Sequence, residues 1–225
     1  MWYWEPIRMQ IISHRGFWLA PEEKNSETAF RRSFRKGFGT ETDIRDYRGR
    51  LCISHDMPTS EPMPVEQLFD IYVKYDQTLP LFLNIKSEGI GEALRKVLDE
   101  YAIKNYFAFD MSVPEMIYYK KKGLLDFITR MSDVETIPIL IEDSKGIWID
   151  NFFGHTLLPA DINYFSSNDH LLCFVSPELH GRSHKGYWEL LKAWEESNEF
   201  SCSQLILCTD FPEDAENHFN RGEGA

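Results

Sequence analysis

The feature that most constrains the fold of this 225-residue chain is a regular alternation of short apolar runs with amphipathic helical patterns. Apolar runs of about four to eight residues are typical of strands buried in a parallel sheet. Eight such strands are predicted, near residues 9–13, 39–45, 81–86, 106–109, 126–130, 146–150, 171–175 and 205–208. Repeated strand–helix units without a linker predict an α/β fold, a TIM (β/α)8 barrel that forms one domain over residues 1–225.

Local signals place the helices and turns between these strands. Asn25 and Ser26 supply capping chemistry for a first helix, which Gly37 ends. A tight turn at 48–50 sends a short extended stretch back over 51–54. Further helices are predicted over 65–74, around 93–98, and over 115–121, 158–165 and 188–196. The aromatic segment at 1–4 is expected to pack, and residues 221–225 to fray.

The composition of the chain limits the classes of molecule that it is expected to bind. A formal charge of −12 and a pI near 5.0 disfavour nucleic acid and anionic membrane surfaces, because no basic face offsets repulsion by phosphates. No apolar segment is long enough to span a bilayer, so stable membrane insertion is not expected. The four cysteines show no C-x-x-C spacing, and no signal segment precedes the first motif. These features predict a cytoplasmic protein that acts on a small molecule, and they leave its oligomeric state open.

Three short segments in the first quarter of the chain carry the candidate chemistry. Residues two apart on a strand point to one face, so the two acids of the second segment should project together, as should Asn84 and Lys86. Two carboxylates can hold a divalent cation while two histidines move protons around a phosphoryl group. Taken singly, each of these residues is more often an exposed or structural one. The segments are His14-Arg15-Gly16, Glu41-Thr42-Asp43 and Ser54-His55-Asp56.

These segments, together with residues 25–30 and Gly37, resemble the glycerophosphodiester phosphodiesterases, a family of the PLC-like phosphodiesterase superfamily. The resemblance covers the first ninety residues and implies a TIM-barrel phosphoric diester hydrolase of lipid metabolism. Residues 209–212 are similar to the closing strand of that family. It implies that His14 and His55 are the general acid–base pair and that Arg15 and Lys86 bind the substrate phosphate. It also implies that Glu41 and Asp43 bind a divalent metal, Mg²⁺ or Ca²⁺, with Asn84 as the third ligand.

Two departures from the family pattern leave alternatives open. Asn84 stands where the family usually has a glutamate, and a neutral amide should bind a cation more weakly. The short separation of His55 from Asn84 leaves no room for the helical insertion that caps glycerol-type substrates in many members. The chain is therefore either a metal-dependent hydrolase of a small phosphodiester or a weak or inactive barrel that binds a phosphorylated sugar or lipid head group. A lyase that stops at a cyclic phosphate is the third possibility.

The second half of the chain matches the family poorly, so its candidate residues rest on their positions near predicted strand ends. Loops at strand ends often carry binding residues, and an ordinary connecting loop is the alternative interpretation. A role in substrate selectivity is predicted for Trp148, Glu178, His180 and Arg182.

Overall fold

The computed structural model of the protein describes residues 7–220. The expectations for residues 1–4 and 221–225 lie outside this range. The described residues fall into two compact units, one comprising Ile12–Ile128 and the other comprising 129–220 together with 7–11. Whether the chain is one domain stays a prediction.

The unit Ile12–Ile128 is built on parallel strands in the order β1, β2, β5, β6. Strands β3 and β4 follow β2 in the chain; β3 pairs with β2 and β4 pairs with β3, both antiparallel. The strands are β1 (Met9–His14, of which the last three residues belong here), β2 (Gly39–Tyr47), β3 (Arg50–Ile53), β4 (Met63–Pro64), β5 (Leu81–Ile85) and β6 (Tyr106–Phe109). The helices are α1 (Glu27–Arg35), α2 (Val65–Tyr72), α3 (Gly91–Glu100) and α4 (Val113–Lys122).

The other unit has the same strand–helix construction. Its strands pair in parallel in the order β7, β8, β9, β10. They are β7 (Thr129–Met131), β8 (Gly146–Ile149), β9 (Leu171–Val175) and β10 (Gln204–Thr209). The helices are α5 (Pro159–Asn163), α6 (Lys185–Ser197) and α7 (Pro212–Asn220).

Burial explains why these segments form strands and helices. Every residue of β5 and of β9 is buried, as expected when a parallel sheet is covered on both faces. Helix α1 begins where the Ser26 hydroxyl accepts a hydrogen bond from Ala29 N at 3.3 Å, and it buries Phe30 and Phe34 on one face. Capping and periodicity therefore act as the sequence predicted.

Three sequence expectations need correction. The strand predicted over 126–130 begins only at Thr129, because Phe127 forms an isolated bridge to Ala108 instead of a ladder. The closing strand predicted to reach Pro212 ends at Thr209, and Pro212 begins α7. The helix predicted over 158–165 is shorter, Pro159–Asn163.

No helix in the described part of the chain combines the length and apolar character that a bilayer crossing requires.

Candidate active site

The turn after β1 fixes the position of Arg15. Arg15 has φ 58° and Gly16 has φ 80°, a left-handed conformation that is costly for arginine and accessible to glycine. A Cβ atom at position 16 would lie 2.7 Å from the Ala29 Cβ atom, so the turn requires glycine. The Arg15 N–H donates to the Glu41 carbonyl at 2.9 Å, and the Arg15 carbonyl accepts from Asn25 N at 2.8 Å. These bonds hold the strained arginine against β2 and the segment before α1.

The remaining polar groups come from three neighbouring strands. His14 lies opposite Glu41 in the β1–β2 ladder, and Asp43 lies opposite Asn84 in the β2–β5 ladder. Glu41 and Asp43 are 2% and 0% exposed, so both carboxyl groups are inside the protein. Lys86 follows the end of β5. The site therefore lies at the carboxyl ends of β1 and β5 and beside the residues of β2 that pair with them, the edge where parallel α/β folds carry their chemistry.

Asp43 is the centre of a charged network. Its Oδ2 atom lies 3.0 Å from Arg15 Nε, an ion pair without hydrogen-bond geometry, and accepts a hydrogen bond from Asn25 Nδ2 at 2.8 Å. Its Oδ1 atom lies 3.4 Å from Lys86 Nζ. The same ammonium group is 3.9 Å from Asp110 Oδ2. Two cations thus converge on one buried carboxylate, which offsets part of its desolvation cost.

Glu41 has a different environment. Its Oε2 atom lies 3.9 Å from His14 Nε2 and accepts from Arg15 N at 3.3 Å. Burial raises the pKa of the Glu41 carboxyl well above its usual range, and the negative charge of Asp43 raises it further. Arg15 and Lys86 offset only part of these two effects, and a bound cation would stabilise the ionised form of the Glu41 carboxyl.

The oxygen atoms of this site fit a hard divalent cation. Asn84 is 7% exposed, and its Oδ1 atom is buried without a hydrogen-bond partner among the described residues. Buried polar atoms normally have a hydrogen-bond partner, and this oxygen has none. A bound cation would provide the missing partner. Asp43 and Glu41 add carboxylate oxygens, the type of ligand that Mg²⁺ and Ca²⁺ prefer. Within residues 7–220, however, no group of three or more His, Cys, Asp or Glu side chains is arranged to hold a metal ion.

His55 lies on the segment after β3 and is 44% exposed at its side chain. Its Nδ1 atom lies 2.9 Å from Asp56 Oδ1, and its carbonyl accepts from Arg45 Nη2 at 3.0 Å. The N–H of the preceding Ser54 donates to the Asp43 carbonyl at 3.1 Å. The backbone of the His55 segment is therefore anchored to the strand that carries the buried acids.

Arg15 and His55 line the same open cleft, of about 460 Å³. Lys24, Asn25 and Asp56 contribute further polar groups to its walls. The cleft is therefore lined both by Arg15, which is predicted to bind the substrate phosphate, and by His55, which is predicted to be an acid–base residue.

Sequence reasoning missed three residues of this network. Asn25, assigned only to helix capping, accepts from Thr42 Oγ1 at 2.8 Å while it donates to Asp43. Asp110 and Arg45 were not singled out either. Asn25 has φ 58°, but nothing in the local sequence indicates that its amide reaches β2, since that contact depends on tertiary structure.

The four residues predicted to select the substrate lie in the other unit. The His180 Nε2 atom is 2.7 Å from Asp150 Oδ1. Glu178 accepts from Asp210 N at 3.1 Å and from the Thr209 hydroxyl, so it joins the segments that follow β9 and β10. Arg182 donates to Asn151 Oδ1 at 3.2 Å, and Trp148 is buried in β8. Their role in selectivity stays a prediction.

Comparison with known proteins identifies the fold. No protein-family model matches the sequence, and a search of curated proteins gives no match. Solved structures do match. A glycerophosphoryl diester phosphodiesterase from Parabacteroides distasonis aligns with a TM-score of 0.67 at 11% identity over 97% of this chain and 88% of that one. The glycerophosphodiester phosphodiesterase of Thermotoga maritima gives 0.62 at 12% identity, over 92% and 97%. The one of Agrobacterium tumefaciens gives 0.62 at 14% identity, over 91% and 97%.

The chain thus has the fold of the glycerophosphodiester phosphodiesterases. These structures are TIM barrels, so the fold class predicted from the sequence is confirmed.

Proposed function

We propose that the protein is a metal-dependent hydrolase of a small phosphodiester, of the glycerophosphodiester type. The observation that carries the proposal is the convergence of Arg15 and Lys86 on buried Asp43, with His14 beside Glu41, at the ends of adjacent strands. Guanidinium and ammonium groups at such a position can bind phosphoryl oxygens and offset the charge that builds on them. The fold of solved phosphodiesterases supports the same reaction class.

The two histidines have complementary roles in this proposal. His14 removes a proton from a hydroxyl group of the substrate, which attacks phosphorus, while His55 protonates the leaving alcohol as its P–O bond breaks. Water then opens the resulting cyclic phosphate with the proton transfers reversed, so the net products are one alcohol and one phosphomonoester. The contacts of His14 with Glu41 and of His55 with Asp56 would orient the two imidazoles.

Glu41, Asp43 and Asn84 would hold the divalent cation, Mg²⁺ or Ca²⁺. When bound, the cation polarises the phosphoryl oxygen and neutralises developing charge. The raised pKa of the Glu41 carboxyl and the unsatisfied Asn84 Oδ1 atom support this ligand set.

A second candidate is a catalytically weak barrel that binds a phosphorylated sugar or lipid head group. Two observations favour it. Asn84 contributes no charge, and Asp43 already has two cationic partners, Arg15 and Lys86. Each of these features weakens the attraction of the site for a metal ion. A third candidate is a lyase that releases the cyclic phosphate, since two histidines can expel the alcohol without water.

We further propose a small, soluble substrate of lipid metabolism and a reducing cytoplasmic setting. The net charge of −12 supports a small substrate over nucleic acid. All four cysteines are buried and form no disulfide, as a reducing compartment would maintain.

Hydrolysis assays with glycerophosphodiesters, in Mg²⁺, Ca²⁺ or EDTA, test the proposal. We expect turnover only with a divalent metal, and losses of at least about a hundredfold in His14→Ala and His55→Ala. His170→Ala is the matched control. The His170 Nδ1 atom accepts a hydrogen bond from Ser167 N, just before β9, and this histidine is not part of the proposed site. Metal-dependent turnover that survives in both variants would rule out the acid–base assignment, whereas tight binding without turnover would favour the second candidate.

A further inference from the structure

Lys86, proposed above to bind the substrate phosphate, lies between two carboxylates that differ in depth. Its Nζ atom is 3.4 Å from Asp43 Oδ1 and 3.9 Å from Asp110 Oδ2. The side chain of Asp43 is 1% exposed, whereas that of Asp110 is 26% exposed. Asp43 thus attracts the ammonium group toward the interior of the protein, and Asp110 attracts it toward the solvent, from which a substrate arrives.

Neither carboxylate accepts a hydrogen bond from the Lys86 ammonium group. Asp43 Oδ1 is buried without a hydrogen-bond partner among the described residues, and 3.9 Å to Asp110 Oδ2 is longer than a hydrogen bond. Both contacts are therefore ion pairs that act through charge alone. An ammonium group has three N–H donors, and these two ion pairs leave them available for phosphoryl oxygens.

The turn that carries Asp110 is joined to the segment that carries Lys86. Asp110 directly follows β6 and has φ 69°, a left-handed conformation that aspartate and asparagine adopt more readily than most side chains. Ser112, two residues later, donates from its N and Oγ atoms to the Glu88 carboxylate at 3.2 and 3.0 Å. Glu88 and Lys86 both lie on the segment after β5. These bonds hold the two segments together beside the proposed site.

We propose that Asp110 is a positioning residue that holds the Lys86 ammonium group toward the solvent side of Asp43, where its N–H donors can bind the substrate phosphate. This inference rests on the proposed function and deepens it. Without the charge of Asp110, the ammonium group would move closer to the buried Asp43 and bind phosphate less well. Asp110 acts through Lys86 and takes no part in the bond-breaking step.

The sign of the effect on phosphate binding distinguishes this role from simple electrostatics. A carboxylate beside an anion site repels the anion, so removing its charge should by itself strengthen phosphate binding. If Asp110 positions Lys86, removing its charge should weaken phosphate binding instead.

The test is a titration of the protein with inorganic phosphate in EDTA, followed by phosphorus NMR. Asp110→Asn keeps a residue suited to φ 69° and should raise the Kd by about two- to fivefold, the range of a partly exposed ion pair. With a divalent metal, the KM for a glycerophosphodiester should rise by a similar factor while kcat changes little. Asp110→Gly also fits this backbone and should show the same loss. Asp70→Asn is the matched control, because Asp70 lies on α2 and accepts from the Tyr101 hydroxyl at 3.0 Å.

The Lys86→Met background shows whether Asp110 acts through Lys86. In that background Asp110→Asn should not weaken phosphate binding, because no ammonium group remains to be positioned. The proposal is overturned if Asp110→Asn alone binds phosphate as tightly as the wild type or more tightly, if the loss is the same in both backgrounds, or if the wild type does not bind phosphate. If phosphate binding changes as expected but no glycerophosphodiester is hydrolysed with any metal, the proposed function fails and the role of Asp110 stands.

Discussion

Asp43 is the residue on which the charges of the candidate site converge. It is fully buried, and Arg15, Lys86 and Asn25 each contact it. A carboxylate with two cationic partners holds those cations in fixed positions, so they need little reorganisation when a phosphate arrives. Asp43, proposed above as a metal ligand, therefore also holds positive charge in position.

Asn84, proposed above as a metal ligand, should limit the affinity for the cation because its amide is neutral. Asn84→Asp adds one carboxylate without added volume beside Glu41 and Asp43, so Ca²⁺ or Mg²⁺ should bind about tenfold more tightly, because affinity rises with ligand charge. In EDTA the same variant should be less stable than the wild type by on the order of 1–3 kcal/mol, since the new buried charge has no partner. Calorimetric metal titration and thermal unfolding measure the two effects. Equal metal affinity in both proteins would contradict the assignment of Asn84 as a ligand.

Asn25 combines a left-handed backbone with two side-chain hydrogen bonds, to Thr42 and Asp43. Asn25→Gly should lose about 1–3 kcal/mol of unfolding free energy, because the bonds disappear but the backbone is unstrained. Asn25→Ala should lose about 1 kcal/mol more, because alanine is disfavoured at φ 58°. Urea unfolding of both variants gives the difference. Equal stability of the two would show that the backbone conformation is of no consequence here.

At the scale of elements, helix α6 carries a buried acid that makes stability depend on pH. Glu195 is 7% exposed, and its Oε1 atom accepts from Met9 N, at the start of β1, at 2.6 Å. Burial raises the pKa of the Glu195 carboxyl above its usual value, and the hydrogen bond from Met9 offsets only part of that effect. Folding therefore favours the protonated acid.

The sign of the pH effect follows from this direction. Below the unfolded pKa, near 4.5, both states are protonated and Glu195 contributes no penalty. As the pH rises through the raised folded pKa, the folded state is progressively disfavoured. Glu195→Gln keeps the acceptor for Met9 and removes the charge, so it should unfold at a higher temperature than the wild type at pH 8 and at a similar one at pH 4. A pH-independent difference would contradict the argument, and Glu196→Gln, exposed on the same helix, should have a much smaller effect.

How well each strand or helix can be predicted from the sequence depends on how completely it is buried. Strands such as β5 and β9 are buried along their whole length, so they appear in the sequence as uninterrupted apolar runs. Helix α7 was missed because its buried face consists of only Pro212, Ala215 and Phe219 among acidic and amide residues. The segment before β7 is apolar as well, but tertiary pairing leaves only one bridge there.

At the scale of the whole molecule, the parts of the site that the sequence predicted follow local rules, and the parts that it missed depend on tertiary structure. Glu41 and Asp43 were paired correctly because strand alternation is a local rule. The contact of Lys86 with Asp110 joins the segments that follow β5 and β6, so it depends on the fold. The contact of Arg45 with the His55 carbonyl is closer in sequence and depends on the path of the chain after the β2–β3 hairpin. The fold is shared with solved phosphodiesterases at 11–14% identity, a level at which few side chains coincide.

Phosphorus NMR of a glycerophosphodiester incubated with the protein tests the central claim most directly. With Mg²⁺ or Ca²⁺ we expect the diester signal to be replaced by that of a phosphomonoester, and we expect no change in EDTA or with His14→Ala. A cyclic phosphate that accumulates as the final product would identify the lyase instead. An unchanged diester under every metal, or equal turnover by wild type and His14→Ala, would contradict the account of this site as a two-histidine phosphodiesterase.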